Sequence, residues 1–282
     1  MPLTQALAVI RQAQREHYAV PLFAAFNSLD VDGIAAAAEG LQAPAIMAIF
    51  AGTLAAPTGR ALAACVRTRA AESPVPIALM LDHGTKLEHC LQAIEHGFTD
   101  VMFDGSKLPL EENAARTREV VEAAHAEGVA VEGELGQVGS GRNYQEFGAQ
   151  RAGFTDPETV KGFVSETGVD VLAVAIGSAH GQYQGEPHLD VELLTELRRR
   201  TEVPLSLHGG SGCAAEQFQA VIAAGIAKVN IATDLWAGAS ARMLETVRAG
   251  KTGYFDLTAA VVAGFDDRCR YYLEVFGAVG RG

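Results

Sequence analysis

Cysteine is scarce in this chain of 282 residues, and the four that occur, Cys65, Cys90, Cys213 and Cys269, form no Cys-x-x-Cys pair. A disulfide framework and a thiolate zinc site are therefore both disfavoured, and a reducing cytoplasm is the expected setting. Positive charge is also short: 22 lysines and arginines face 34 acids, for a formal net charge of -12. Such a surface repels nucleic acid and anionic membranes, so neither is an expected partner, although a local pocket of amides or cations can still hold an anion. No apolar run reaches spanning length, and the opening MPLTQALAVIRQAQREHYAV mixes apolar and charged residues at helical spacing. It reads as an N-terminal helix, not as a secretory signal or a membrane anchor. No Pro/Gly/Ser linker or low-complexity tract divides the chain, so residues 1–282 are expected to form one domain.

What is present is a repeated alternation. Apolar, β-branched runs recur as AVPLFAAF, APAIMAIF, VPIALMLD, TDVMFD, VAVEGEL, VDVLAVAIG, VPLSLHG and IAKVNIAT, with amphipathic stretches between them. In KLEHCLQAIEHG, for example, Leu87, Leu91 and Ile94 are expected to share the buried face, with Gly97 as the stop. Continuous apolar strands joined by helices imply a parallel sheet covered on its faces, and about eight of them close a (β/α)8 TIM barrel. The expected fold is α/β, a barrel with an N-terminal helix and a C-terminal helical extension. The longest stretch without pattern, residues 136–157, has the length of an active-site loop.

Polar residues fall where these strands should surface. Asp82 and His83 end the third run; Asn27 follows the first, Asp104 ends the fourth, Glu134 the fifth, His180 follows the sixth, His208 ends the seventh and Asn230 lies in the eighth. In a barrel these ends converge on one mouth. Three histidines with an acid nearby have the composition of a catalytic zinc site, where three protein ligands leave a position open. More ordinary roles stay open at this point. Glu134 could pair with an arginine, Asp104 could cap a helix or form an Asx turn, and His17, His89, His96, His125 and His188 read as surface or half-buried residues. After the seventh run comes HGGSGC, with a helical stretch directly behind it, and the eighth ends in NIATD. Glycines before a helix N-terminus let backbone N–H groups approach an anion, and phosphate sites of barrels commonly follow strands seven and eight.

With these residues in place, the chain resembles the class II, zinc-dependent fructose-bisphosphate and tagatose-bisphosphate aldolase family. The segments that carry the likeness run nearly end to end, in order: AFNSLD, LDHGTKLEHCLQAIEHGFTDVMFDGS, VEGELGQVG, AIGSAHGQYQG, LHGGSG and KVNIATD. The resemblance implies that His83, His180 and His208 hold zinc, with Glu134 near an alternative or outer metal position and Asp104 supporting the ligands. Cobalt or another divalent ion could replace zinc, and a monovalent cation could accompany it. Asp82 would exchange a proton with the aldehyde or hydroxyl oxygen. Gly181, Gly209, Gly210, Ser211 and Thr233 would cradle the phosphate of dihydroxyacetone phosphate, with Asn230 against its carbon chain and Asn27 among the substrate contacts. Ala232 is closer to the tagatose-type members. The implied partners are a phosphorylated ketose and dihydroxyacetone phosphate, in a homodimer or homotetramer of carbohydrate metabolism.

Two places depart from the family pattern. After ELG, members carry acidic residues, one of which moves the proton at the carbon that becomes nucleophilic; here Arg142 and Asn143 stand near that point, and Glu146 is the best substitute. Near the C-terminus, members carry an arginine for the far phosphate of a bisphosphate sugar, and here Val262 stands near its place, with Lys251 or Arg268 as substitutes. A preference for ketose 1-phosphates over bisphosphates is expected. Lys107 is a Schiff-base rival to metal chemistry, and an epimerase or isomerase, or a non-catalytic partner subunit, are the competing functions.

Overall fold

The apolar runs become strands because both of their faces find cover. The computed structural model describes residues 3–143, 151 and 153–282. Its barrel strands are β1 (Val20–Ala24), β2 (Ala45–Phe50), β3 (Ile77–Gly84), β4 (Asp100–Phe103), β5 (Ala130–Leu135), β7 (Val171–Val174), β9 (Leu205–Leu207) and β10 (Ile226–Ile231). They are parallel and close in the order β1-β10-β9-β7-β5-β4-β3-β2. This is the expected (β/α)8 barrel. Two further short strands, β6 (Gly139–Ser140) and β8 (Ala179–His180), pair with each other outside it.

The helices α2 (Ser28–Gly40), α3 (Ala51–Leu54), α4 (Gly59–Glu72), α5 (Leu87–Glu95), α6 (Leu110–Ala126), α7 (Pro157–Thr167), α8 (Val191–Arg200) and α9 (Ala215–Ala223) lie between successive strands. None of the described helices is long and apolar enough to cross a membrane. In α5 the buried residues are Cys90 and Ala93, with Leu87 and Ile94 half-buried, whereas Leu91 is exposed. The expected Leu87–Leu91–Ile94 face is thus rotated: a thiol and a methyl let the helix lie close on the sheet, and the larger side chains flank that line.

The two ends of the barrel differ. At the base, α1 (Ala6–Glu16) has no side-chain cap of its own; the buried carboxylate of Asp100 in β4 accepts from Ala6 N at 2.6 Å and Leu7 N at 3.0 Å instead. Those are the N–H groups that a helix start leaves unpaired. After the barrel, α10 (Thr233–Arg248) and α11 (Tyr254–Val275) form the expected C-terminal extension. Gly33 lets α11 press on α2: a Cβ there would stand 2.5 Å from Phe265 Cβ and 2.7 Å from Val262 O. The close approach from α11 is made by the Phe265 side chain and by the backbone carbonyl of Val262.

Candidate active site

The mouth is a cavity of about 610 Å³ at the C-terminal ends of the strands, lined from every sector of the barrel. Its first residues show how two neighbours in sequence can face one space. A regular strand sends Asp82 and His83 to opposite sides, but the β3–β4 register shifts between Leu81 and Gly84, and His83 takes a left-handed φ of 50°. The irregularity turns both side chains into the cavity. A non-glycine residue in that conformation carries strain that the surroundings must hold. His83 Nδ1 lies 2.8 Å from Asp104 Oδ2, and the other Asp104 oxygen accepts from Ser106 N at 3.1 Å and Ser106 Oγ at 2.6 Å. The Asx turn and the support of His83 are therefore one arrangement.

His208 is fully buried beneath them. Its Nε2 lies 2.7 Å from Glu132 Oε1, and its Nδ1 lies 3.2 Å from His83 Nε2. Glu132 also receives Lys228 Nζ at 3.1 Å, and the same ammonium donates to Ser206 Oγ at 3.2 Å and Asn230 Oδ1 at 2.6 Å. Asn230 then donates to Asp82 Oδ1 at 3.1 Å. Glu132 and Lys228 have no role in the sequence reading above. The signal was a charged residue of each sign inside an otherwise apolar strand, which a barrel interior tolerates only as a pair.

His180, on β8, completes the group: its ring centroid is 4.9 Å from that of His83 and 6.1 Å from that of His208. Ligand atoms of His83, His180 and His208 lie within 4.8 Å of one another, as do those of His83, Asp104 and Glu134. Glu134 Oε2 is buried without a hydrogen-bond partner among the described residues, 3.8 Å from His208 Nδ1. Burial alone would lower the pKa of His83, yet Asp82, Asp104 and Glu134 carry it up to about 9. Burial and the charge of Asp104 lift Glu134 to about 8. His180, by contrast, is lowered to about 3 by burial and by its two histidine neighbours, which keeps it neutral. Four carboxylates thus meet one ammonium; the negative charge favours a proton on His83, and burial first, with Asp104 beside it, favours one on Glu134. These donors fit a divalent cation: His83 and His208 each have one nitrogen held by an acid and the other turned inward, the two inward nitrogens lying 3.2 Å apart.

On the β7–β10 side, Gly181, Gly209, Ser211 and Thr233 line the mouth. Gly209 has a φ of 69°, and a Cβ there would meet the Ala179 backbone at 2.5 Å, so only glycine keeps the turn. Thr233 opens α10, whose N-terminus faces the cavity. Tyr183 ties the two turns together, its hydroxyl accepting from Ala179 N at 2.7 Å and donating to Gly209 O at 2.8 Å. Gly210 stands apart, since its N–H bonds to Asn230 O at 3.2 Å and it does not line the cavity. Asn27 is outside the lining as well; its side chain caps α2, accepting from Leu29 N and Asp30 N.

Around β1 to β4 the lining changes to Phe26, Phe50, Thr85, Ser106 and Lys107, joined by Trp236 from α10. The three aromatics have no role in the sequence reading: Phe26 and Phe50 end apolar runs there, and Trp236 falls outside them. Arg268 is engaged with Asp234 and stacks on Tyr271 at 4.5 Å, and neither it nor Lys251 lines the cavity. Lys107 is exposed at the rim. Glu146 lies outside the described residues.

With this geometry in view, comparisons with known proteins agree. The family described as "Fructose-bisphosphate aldolase class-II" matches residues 4–281. A Bacillus subtilis (strain 168) protein named "Probable fructose-bisphosphate aldolase" is 37% identical over 257 residues, covering 90% of each chain. The YdjI aldolase from Escherichia coli K12 superposes with a TM-score of 0.89 at 31% identity, over 99% of both chains. Fructose-bisphosphate aldolase from Campylobacter jejuni shares the fold, with a TM-score of 0.82 at 22% identity, over 100% of this chain and 97% of that one. The chain belongs to the class II fructose-bisphosphate aldolase family and is an aldolase, a carbon–carbon lyase.

Proposed function

We propose that the protein is a divalent-metal-dependent aldolase that reversibly cleaves a ketose phosphate to dihydroxyacetone phosphate and an aldehyde, and that it favours substrates without a second phosphate. The observation that carries this reading is the convergence of His83, His180 and His208 with the turns of Gly181, Gly209, Ser211 and Thr233 on one cavity. Histidine donors in a three-ligand, open arrangement favour zinc, with cobalt a natural replacement. Glu134 serves as a further or alternative donor. A bound divalent ion supplies Lewis-acid stabilisation of the negative charge that develops when the carbon–carbon bond next to a ketone breaks.

The chain's own residues do the rest. Asp104 and Glu132 hold His83 and His208 from behind and fix which nitrogen of each faces inward. The backbone N–H groups of the β8 and β9 turns and of the α10 N-terminus bind the phosphate of the dihydroxyacetone half, which orients the bond to be broken. Asp82, aimed by its hydrogen bond from Asn230, takes the hydroxyl proton as the aldehyde leaves and returns it in synthesis. Glu146 is the candidate for proton transfer at the nucleophilic carbon.

Preference against a second phosphate follows from the cations. Arg268 is already paired, Val262 carries no charge, and among the described lining residues the one lysine or arginine is Lys107, exposed at the rim. A desolvated phosphate without a partner is costly. The test is a coupled assay for dihydroxyacetone phosphate release from fructose 1-phosphate, fructose 1,6-bisphosphate and tagatose 1,6-bisphosphate. Higher specificity constants for the monophosphate support the reading; a strong advantage for either bisphosphate overturns the preference, and no release from any of them overturns the aldolase assignment to ketose phosphates.

A further inference from the structure

The aldehyde half of the cavity carries an unusual surface. Phe26, Phe50 and Trp236 are 40%, 43% and 39% exposed, and all three line the same mouth. They are not strays from separate places. Phe26 follows β1, which pairs with β2, and Phe50 ends β2. Trp236 enters from α10 and meets the Phe26 ring edge to face, at 4.9 Å and 80°. Clustered, exposed aromatics in a concave site are what a ligand's apolar face covers.

Their register ties them to the reaction. In the β2–β3 ladder, Phe50 is the direct partner of Asp82. If Asp82 handles the proton of the aldehyde oxygen, the aldehyde carbon is one bond from that oxygen, and its substituent begins beside Phe50. Charge points the same way. Among the described lining residues Lys107 is the one lysine or arginine; it follows β4, beyond β3 from Phe50, whereas the acid Asp82 is the register partner of Phe50. An anionic substituent over the aromatics would meet ring faces and the Asp82 carboxylate.

We infer that Phe26, Phe50 and Trp236 form the seat for the aldehyde's carbon chain, and that the acceptor is an uncharged aldehyde with an apolar face, of the alkyl or aryl class. The inference rests on the aldolase reading and names its second substrate. In synthesis, the new bond joins the nucleophilic carbon of dihydroxyacetone phosphate to the aldehyde carbon. The proton lost from the first carbon is balanced by one gained at the aldehyde oxygen, so no further reactant is needed.

The experiment uses the metal-loaded full chain and follows dihydroxyacetone phosphate consumption with glycolaldehyde, 3-methylbutanal, phenylacetaldehyde and glyceraldehyde 3-phosphate. Phenylacetaldehyde or 3-methylbutanal is expected to exceed glyceraldehyde 3-phosphate in kcat/KM by about tenfold. Phe50→Ser is expected to lower the ratio of the apolar aldehydes to glycolaldehyde by about tenfold, the size a hydrophobic pocket contact allows. Trp236 is the sole tryptophan of the chain, so its fluorescence gives a readout independent of turnover. Saturable change on adding 2-phenylethanol, weakened in Phe50→Ser, supports the seat. An advantage for glyceraldehyde 3-phosphate, an unchanged ratio in Phe50→Ser, or no fluorescence response overturns it. Failure to consume dihydroxyacetone phosphate with every aldehyde would instead strike the aldolase reading beneath it.

Discussion

From β3 round to β10, the mouth holds His83 and His208 in hydrogen bonds that reach down into the barrel, whereas around β1 and β2 it presents Phe26, Phe50 and Trp236 to solvent. The first sector is over-determined. His208 alone is fixed by Glu132, which is fixed by Lys228, which also holds Asn230 and through it Asp82. In the second sector, among the described residues, Phe26 and Trp236 meet edge to face without a hydrogen-bonded network like that of the first. The contrast predicts where change is tolerated: loss of any member of the networked polar sector is expected to disturb the others, while a ring on the rim is expected to be exchangeable without unpairing a buried polar group.

Substitutions can break or sharpen that contrast. The largest effect is expected from His208→Ala, which should lose both bound metal and turnover, checked by metal analysis beside the coupled assay. Next comes Asp82→Ala, expected to cost about two to four powers of ten in kcat while keeping its metal, since general acid–base help is worth that much. Equal loss of metal in Asp82→Ala and Asp82→Asn would reassign Asp82 from proton transfer to metal holding. Glu132→Gln should weaken metal affinity about 10- to 100-fold, the usual cost of removing a carboxylate behind a ligand histidine; competition with a chromophoric chelator measures it. If instead the variant keeps wild-type affinity, the polar sector is less interlocked than its hydrogen bonds suggest.

The smallest effect on catalysis should come from the base of the barrel, which serves as a control for both sectors. Burial pushes the Asp100 carboxyl from 3.8 up to about 6, against the pull of its bonds from Ala6 and Leu7. The folded protein therefore takes up a proton between those values that the unfolded chain does not, and this group's contribution to stability falls as pH rises from about 4 to about 6. Asp100→Asn should remove that part of the slope. Thermal unfolding midpoints across the window are expected to vary less with pH than in the parent, with turnover at neutral pH unchanged.

Much of the chemical sector is legible in the sequence alone. The eight apolar runs gave the barrel, and a barrel brings strand ends together, so Asp82, His83, His180 and His208 could be placed at one mouth from their positions alone. What stayed hidden depended on local geometry. Nothing in LDHG announces the register shift that turns both Asp82 and His83 inward. Asn27 and Gly210 sit at suggestive positions, yet one is engaged in capping α2 and the other in a backbone bond to Asn230. Glu132 and Lys228 could have been found by asking what a buried acid and a buried base inside apolar strands are for. Phe26 and Phe50 could not, because a phenylalanine at a strand end reads the same whether it points to the core or to a substrate.

The most direct test of the central claim is the rate of dihydroxyacetone phosphate release from fructose 1-phosphate by protein stripped of metal with a chelator, and then reloaded with zinc. The account predicts loss of release on stripping and its return at about one zinc per chain, with no return for His208→Ala. Undiminished release by the stripped protein would contradict it.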